Sequence, residues 1–335
     1  MFKSFAVGLL ASILTLLPCT AAFAGNEGYF TTYNHHVEKG EWEIMLMNDF
    51  TFPSAPKREE GQNNYFSQMI EIEYGLTEQL AVEIMGEGFE ELETGRAQYT
   101  GQRYEARYRL SRKEVPLNPM VYVEYEDLSV NTRYKMEVSG WINPPYETAA
   151  EEEAGGRESI LESRLILSQD VGKWNFAFNW INESDIVHGG TAFGYSFGTA
   201  YHSGSGHGMH KGGGCEHHPA PPKGEEESHR EHQGAQGTCV CKTAMPNCKC
   251  AHCKGEKVPC SCEKAGHHGV TYGIELFGGV GDNRSLKLDL SRQEHYFQPF
   301  VMMSLGGKSM LHLAFAKGLS RSSDDIIRTS FAYEF

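Results

Sequence analysis

Apolar and polar residues alternate with a period of two along several segments of this chain. From Trp174 to Trp180 every second residue is tryptophan or phenylalanine, and the residues between them are asparagine or alanine. From Ile327 to Phe335 every second residue is again apolar, aromatic or threonine, and the residues between them are small or charged. Successive side chains of a β-strand point to opposite faces, so this period predicts strands rather than helices.

The segment from Gln102 to Leu110 separates an apolar face from a charged one. The apolar face carries tyrosine, alanine and leucine, whereas the opposite face carries Arg103, Glu105, Arg107 and Arg109. A soluble β-sandwich would have to bury that charged face or expose the aromatic face of 174–180 to water, and both are unfavourable. A membrane β-barrel accommodates the pattern, with lipid outside and a polar lumen inside.

Twelve segments follow this pattern and predict an all-β, transmembrane antiparallel β-barrel. An even number of strands is expected of a bacterial single-chain barrel. The stretch 133–138 stays open as either a further strand or part of a long loop. The predicted strands are residues 41–52, 64–76, 79–90, 99–110, 119–128, 159–170, 173–183, 192–202, 270–280, 295–304, 309–318 and 326–335.

The first 24 residues have the order of a secretory signal peptide. Lys3 precedes an apolar run from Phe5 to Leu17, and the run Ala22-Phe23-Ala24 supplies the small residues of a cleavage site. A membrane anchor is the alternative, but an apolar helix of this length rises only about 20 Å, short of a hydrocarbon core of about 30 Å. Cys19 leaves a lipoprotein signal as another alternative, which the preceding Pro18 disfavours.

The chain is acidic. It has 44 acidic and 30 basic side chains, for a net charge of −14 at neutral pH. This balance argues against nucleic acid as a partner and mildly favours cations. We expect outer-membrane lipid and metal ions as partners, no nucleic acid, and a monomer.

The last strand and one strand–turn–strand segment carry a resemblance. The chain ends Ala332-Tyr333-Glu334-Phe335, and Glu73 to Leu80 has the sequence EYGLTEQL. With these features the chain resembles a Gram-negative outer-membrane β-barrel, of the porin-like type found near phenol-degradation and metal-resistance genes. The resemblance covers about residues 40–202 and 270–335. It implies a fold and an outer-membrane location, but no particular substrate.

Strand parity predicts the side on which each connection lies. If the last strand ends in the periplasm, as the resemblance implies, the connection between the eighth and ninth strands is also periplasmic. We therefore divide the chain into a signal peptide (1–24), barrel strands one to eight (25–202), a periplasmic insertion (203–269) and barrel strands nine to twelve (270–335). The insertion is rich in Gly, His, Pro and charged residues, a composition that predicts disorder.

The insertion contains a dense cysteine run. Seven cysteines lie within the 24 residues from Cys239 to Cys262, and the pattern C-K-x5-C-x-C occurs twice, starting at Cys241 and Cys253. The spacing resembles that of bacterial metallothioneins, and thiolates are the ligands that soft metal ions prefer. A disulfide knot that includes Cys215 and a single structural zinc site remain alternatives. A polynuclear cluster of Cu(I), Zn or Cd uses all seven thiolates and is the preferred interpretation.

Histidines strengthen the metal hypothesis. Eleven of the fifteen histidines lie between His188 and His268, and imidazole is a ligand for Cu(II), Zn and Ni. Cu(I) or Zn is the preferred ion. The predicted metal ligands are Cys215, His217, His218, Cys239, Cys241, Cys248, Cys250, His252, Cys253, Cys260, Cys262, His267 and His268.

The charged faces of the strands predict a polar lumen. The predicted lumen-facing residues are Glu71, Glu73, Glu83, Glu87, Arg103, Arg107, Arg109, Glu124, Glu126, Glu162, Arg164 and Glu334. They either neutralise one another or line a cation-preferring pore. Since no nucleophile has a base at a recognised spacing, no enzyme is predicted. Two functions remain: a barrel that holds a periplasmic metal-binding loop for sequestration, sensing or delivery, and a porin-like cation or metal channel that this loop gates or supplies.

Overall fold

Twelve long strands and one short strand form a single antiparallel sheet. The structure is a computed structural model, and it describes residues 29–134, 140–141, 156–203, 269–306 and 308–335. A short helix, α1 (Ala55–Glu59), follows the first strand. The strands are β1 (Trp42–Phe52), β2 (Tyr65–Gly75), β3 (Leu80–Glu91), β4 (Ala97–Arg109), β5 (Met120–Ser129), β6 (Arg157–Val171), β7 (Trp174–Asp185), β8 (Thr191–His202), β9 (Val270–Asp282), β10 (Ser285–Leu286), β11 (His295–Gly306), β12 (Ser309–Gly318) and β13 (Asp325–Glu334).

The sheet closes on itself. Strand β1 pairs with β2 on one side and with β13 on the other, and β8 pairs with β9 across the long connection between them. Each long strand therefore has a hydrogen-bonded neighbour on both sides, so the backbone donors and acceptors along the ring are satisfied without an open edge. The predicted all-β antiparallel β-barrel class is confirmed.

The predicted strands are all present. Both ends of every long strand lie within two residues of the predicted ends. The stretch 133–138 was left open between a strand and a loop, and its described residues, Arg133 and Tyr134, lie in the loop after β5. The rest of that stretch lies outside the described residues.

Burial along the strands is the reverse of that in a water-soluble protein. On β4, Arg103 and Arg107 are only 2% and 1% exposed, whereas Tyr104 and Tyr108 are 45% and 44% exposed. The same reversal holds on β7, where Asn175 is buried and Trp174 is exposed. The predicted assignment of charged and amide side chains to the inside, and of apolar side chains to the outside, is therefore confirmed.

The two ends of the barrel differ in their connections. We call the end that holds the end of β13 the C-terminal rim; it also carries the turns 76–79, 110–119 and 172–173. The opposite end, the loop rim, carries the connections that begin after β1, β3, β5, β7, β9 and β12. Ser203 and Gly269, which follow β8 and precede β9, lie at the C-terminal rim, where Ser203 N–H donates to Val270 O at 2.8 Å.

Aromatic side chains cluster on the outer surface near the C-terminal rim. Trp42 stacks on Tyr74 with 4.4 Å between ring centroids, and Tyr201 contacts Trp174 at 4.9 Å and Tyr272 at 5.3 Å. Tryptophan and tyrosine prefer the boundary between hydrocarbon and water. This band is therefore typical of one edge of a membrane-spanning zone.

Two predicted segments lie outside the described residues. They are the signal peptide (1–24) and the insertion (203–269) apart from Ser203 and Gly269. All the predicted metal ligands from Cys215 to His268 belong to the second segment. Among the described residues, no helix is long and apolar enough to cross a membrane.

If the outer face contacts lipid, the cost in stability of an introduced charge depends on its depth in the membrane. Ile84, near the middle of β3, is 56% exposed, and Leu92, in the turn after β3, is 42% exposed. We expect Ile84→Arg to lower the free energy of unfolding from lipid vesicles by about 2–4 kcal/mol, because arginine is costly in the hydrocarbon core, and Leu92→Arg to lower it by about 0–1 kcal/mol. Urea titration in vesicles measures both values. Equal costs would contradict a lipid-facing surface.

Candidate functional site

A row of eight glutamates crosses the lumen wall. Each member is directly paired with the next across adjacent strands, so all of their side chains point to the same face. All eight are buried. In order around the barrel from β13 through β1 to β7, the row is Glu334, Glu43, Glu73, Glu83, Glu105, Glu124, Glu162 and Glu183. We call this set the glutamate row.

Arginines from the same strands compensate the charge of the row. Arg103 reaches three carboxylates, with its Nε 3.0 Å from Glu87 and its Nη1 3.1 Å from Glu124 and 3.3 Å from Glu126. Arg107 lies 2.8 Å from Glu105 and also pairs with Glu73. These pairs follow from the period of two, since arginine and glutamate occupy alternate positions on the same lumen-facing side of β4.

Two more ion pairs join charged side chains elsewhere in the lumen. Arg328 on β13 makes a two-pronged contact with Asp49 on β1, with both N–O distances 2.9 Å. Arg164 on β6 pairs with Glu162 two residues earlier on the same face. Bidentate and charge-assisted pairs of this kind are the strongest hydrogen bonds available to buried side chains.

The chain before β1 lies inside the lumen rather than outside it. We call residues 29–41 the N-terminal segment. The Glu275 carboxylate of β9 accepts three consecutive backbone N–H groups, from Phe30 at 3.1 Å, Thr31 at 2.9 Å and Thr32 at 2.7 Å. A buried backbone without a strand partner needs such acceptors, so Glu275 holds this segment in place.

Tyr33 anchors the middle of the N-terminal segment. The Asn179 side chain accepts the Tyr33 N–H at 2.7 Å and donates to the Tyr33 carbonyl at 2.8 Å, as a neighbouring strand would. The Tyr33 hydroxyl donates to Glu105 of the glutamate row at 2.9 Å. The guanidinium carbons of Arg107 and Arg164 each lie 4.9 Å from the centroid of its ring, a cation–π arrangement.

A glycine in the barrel wall makes room for the start of this segment. The Tyr29 hydroxyl donates to the Asn175 side chain at 2.8 Å. A Cβ added to Gly198 of β8 would lie 2.3 Å from the Tyr29 ring. Only glycine allows the ring to lie flat against the wall at this point.

Residues of the β5–β6 connection enter from the loop rim. Thr132 donates to Glu87, and the Arg133 guanidinium lies 4.6 Å from the centroid of the Phe89 ring. Tyr134 is buried, with the guanidinium carbon of Arg328 6.0 Å from its ring centroid. The lumen is therefore occupied from both ends by segments of the chain itself.

The described residues also bring metal-ligating atoms together. Three sets each place three such atoms within 4.8 Å of one another. Two sets belong to the glutamates of the lumen, and the third lies at the C-terminal rim. The sets are Glu43, Glu71 and Glu73; Glu124, Glu126 and Glu162; and His35, His36 and Asp170.

The predicted lumen residues lie where they were expected, with one at the edge. All of them are buried except Arg109, which lies at the C-terminal rim and pairs with Glu114 at 2.6 Å. Sequence reasoning missed five lumen residues, Glu43, Asp49, Glu183, Glu275 and Arg328. It also missed the N-terminal segment, whose signal is a stretch of neutral polar and aromatic residues from Tyr29 to Asn34, unlike the charged and Gly/Pro-rich composition of exposed linkers.

Two solved structures of low sequence identity are similar to this chain. An outer membrane channel from Pseudomonas putida F1 is 10% identical, with 90% of this chain and 98% of that chain covered at a TM-score of 0.42. LpxR from Salmonella typhimurium is 9% identical, with 88% and 99% covered at a TM-score of 0.39. No family model and no curated protein matches the chain.

We expect substitution of a lumen arginine to lower the free energy of unfolding substantially. Arg107→Met leaves Glu73 and Glu105 without their cation, and breaking such a buried pair costs about 3–5 kcal/mol. The matched control is Arg157→Met, because Arg157 is half-exposed and pairs with Asp127 at 2.7 Å on the outside; its cost is about 0–1 kcal/mol. Chemical unfolding of both variants in vesicles measures the difference. A similar small cost for both would show that the lumen carboxylates do not depend on Arg107.

Proposed function

We propose that this protein is an outer-membrane β-barrel that holds a metal-binding segment at its periplasmic side. The segment is the predicted insertion, residues 203–269, and its ions are soft or borderline ones, Cu(I), Zn or Cd. Its role is sequestration, sensing or delivery, without a catalytic step. The observation that carries this proposal is the filled lumen, because a barrel whose interior is occupied by its own chain serves better as a support than as an open pore.

The outer surface supports the membrane location. Apolar side chains such as Ile84 and Tyr104 are exposed on the outside of the ring, and aromatic side chains cluster near the C-terminal rim. An apolar band bordered by aromatic residues is what a barrel in the outer membrane requires.

The positions of Ser203 and Gly269, at the two ends of the insertion, support a periplasmic location for it. Ser203 and Gly269 lie at the same rim as the end of β13 and the short turns. In bacterial outer-membrane barrels the short turns face the periplasm. With this orientation, residues between 203 and 269 are available to periplasmic metal ions.

The chemistry of the insertion supports the choice of ion. The cysteine run, Cys239 to Cys262, offers seven thiolates at short spacing. Thiolates favour Cu(I), Zn and Cd over harder cations. Thiolates must be deprotonated to bind, so affinity falls as the pH is lowered. Oxidation to disulfides competes with metal in an oxidising compartment.

Removing the cysteine run tests this proposal. We expect the reduced full chain to bind several Cu(I) ions, and the variant with all seven cysteines from 239 to 262 changed to serine to bind fewer than about one, because serine is a poor ligand for soft ions. The matched control is Cys215→Ser, which removes one thiol outside the run. Elemental analysis after removal of unbound metal gives the stoichiometry. Equal copper content in the wild-type protein and the seven-serine variant would refute the proposal.

A cation channel is the second candidate, and the glutamate row is the observation that favours it. The row starts at Glu334, the last residue of β13 at the C-terminal rim, and reaches Glu183, two residues before the end of β7 at the loop rim. It therefore crosses the barrel wall with carboxylates throughout. Hydrogen bonds and ring contacts hold the N-terminal segment over this row. Displacement of the segment would open a cation-preferring path, to which residues 203–269 could deliver metal ions.

A further inference from the structure

One of the three sets of metal-ligating side chains in the described part of the chain lies at the C-terminal rim. His35 and His36 belong to the N-terminal segment, Asp170 lies near the end of β6, and Glu114 lies in the turn between β4 and β5. We propose that His35, His36 and Asp170 form a binding site for a divalent transition-metal ion such as Zn²⁺. We call them the rim histidine site.

The distances match those of a metal site. Zn–N and Zn–O bonds of about 2.0–2.2 Å in a tetrahedral arrangement place neighbouring ligand atoms about 3.4 Å apart. The Nε2 atoms of His36 and His35 lie 3.4 Å and 3.6 Å from Asp170 Oδ2. Glu114 Oε2 lies 3.6 Å from His35 Nε2, at the edge of the site. The ligand atoms that all lie within 4.8 Å of one another are those of His35, His36 and Asp170.

The outer contacts orient the ligands toward one point. His35 uses Nδ1 for a hydrogen bond with Ser168 Oγ, which leaves Nε2 for the metal. Asp170 accepts from Asn175 Nδ2 through Oδ1 at 2.6 Å, which leaves Oδ2. Glu114 binds Arg109 through Oε1 at 2.6 Å, which leaves Oε2. Metal-binding histidines and carboxylates are held by secondary hydrogen bonds of this kind.

An unsatisfied nitrogen points to a ligand independently of these distances. The His35 side chain is fully buried, with 0% exposure, and its Nε2 has no hydrogen-bond partner. His36 Nε2 is also buried and lies 3.4 Å from Asp170 Oδ2. Buried polar atoms without a partner are rare because each costs free energy, and a cation between the two rings and Asp170 would satisfy both.

The two histidine rings lie side by side. The rings of His35 and His36 lie 4.2 Å apart between centroids, an arrangement that two positive charges would oppose. Neutral imidazole is the ligand that Zn²⁺, Cu²⁺ and Ni²⁺ bind.

Metal at this site would tie the N-terminal segment to the barrel wall. His35 and His36 come from the segment that fills the lumen, whereas Asp170 and Glu114 come from the wall and a rim turn. A bound ion therefore joins the two by coordinate bonds, in addition to the hydrogen bonds to Glu275 and Asn179. The rim histidine site does not depend on the cysteine run.

Hydrogen exchange of the full chain tests the proposal at the site itself. Peptides that cover residues 29–41 are followed by mass spectrometry with Zn²⁺ and with a chelator. At free Zn²⁺ about 100 times Kd, opening of the N-terminal segment should slow by about a hundredfold. Asp170→Asn removes the shared carboxylate and should abolish the slowing. The matched control is Asp185→Asn, since Asp185 pairs with His188 at the loop rim and should leave the effect intact.

The variant with seven serines separates this site from the proposed function. The Zn²⁺ effect on residues 29–41 should persist in that variant, even if copper binding by the cysteine run fails. Absence of slowing in the wild-type protein, equal slowing in Asp170→Asn, or loss of slowing in the seven-serine variant would each overturn the rim histidine site. Slowing that depends on Asp170 and survives the serine substitutions establishes it.

Discussion

Charged side chains that face a closed lumen must find partners there, because an unpaired ion in a low-dielectric interior costs several kcal/mol. The glutamate row places eight carboxylates on one continuous path along the barrel wall. Arg103 and Arg107 on β4 pair with Glu124 and Glu105 of the row, and Arg164 on β6 pairs with Glu162. The arrangement of the interior follows from this pairing.

The N-terminal segment completes the same network. Its backbone N–H groups bind Glu275, its Tyr33 hydroxyl binds Glu105, and the Tyr33 ring lies against Arg107 and Arg164. The segment therefore donates to Glu275 and adds a hydrogen bond to Glu105, which Arg107 also contacts. The wall in turn supplies the acceptors that a non-strand backbone needs. The N-terminal segment therefore occupies the lumen and also supplies partners for its buried charges.

The strands and their faces could be predicted because a period of two is a local property of the sequence. The ion pairs could not, since the register between strands decides which charges meet, as it does for Arg328 and Asp49. The N-terminal segment was missed for a similar reason. Its contacts reach far along the chain, from Tyr33 to Asn179 and from Phe30 to Glu275. His35 and His36 lie outside the histidine-rich region, so only the fold brings them to Asp170.

Ion conductance across lipid bilayers tests the central claim, that the chain itself fills the barrel. The full-length protein should give no current above that of the lipid alone. The variant that lacks residues 29–38 should conduct ions and prefer cations, because removal of these residues uncovers the glutamate row. Circular dichroism of the variant checks that its strands remain. A steady current through the full-length protein, equal to that of the variant, would contradict the account.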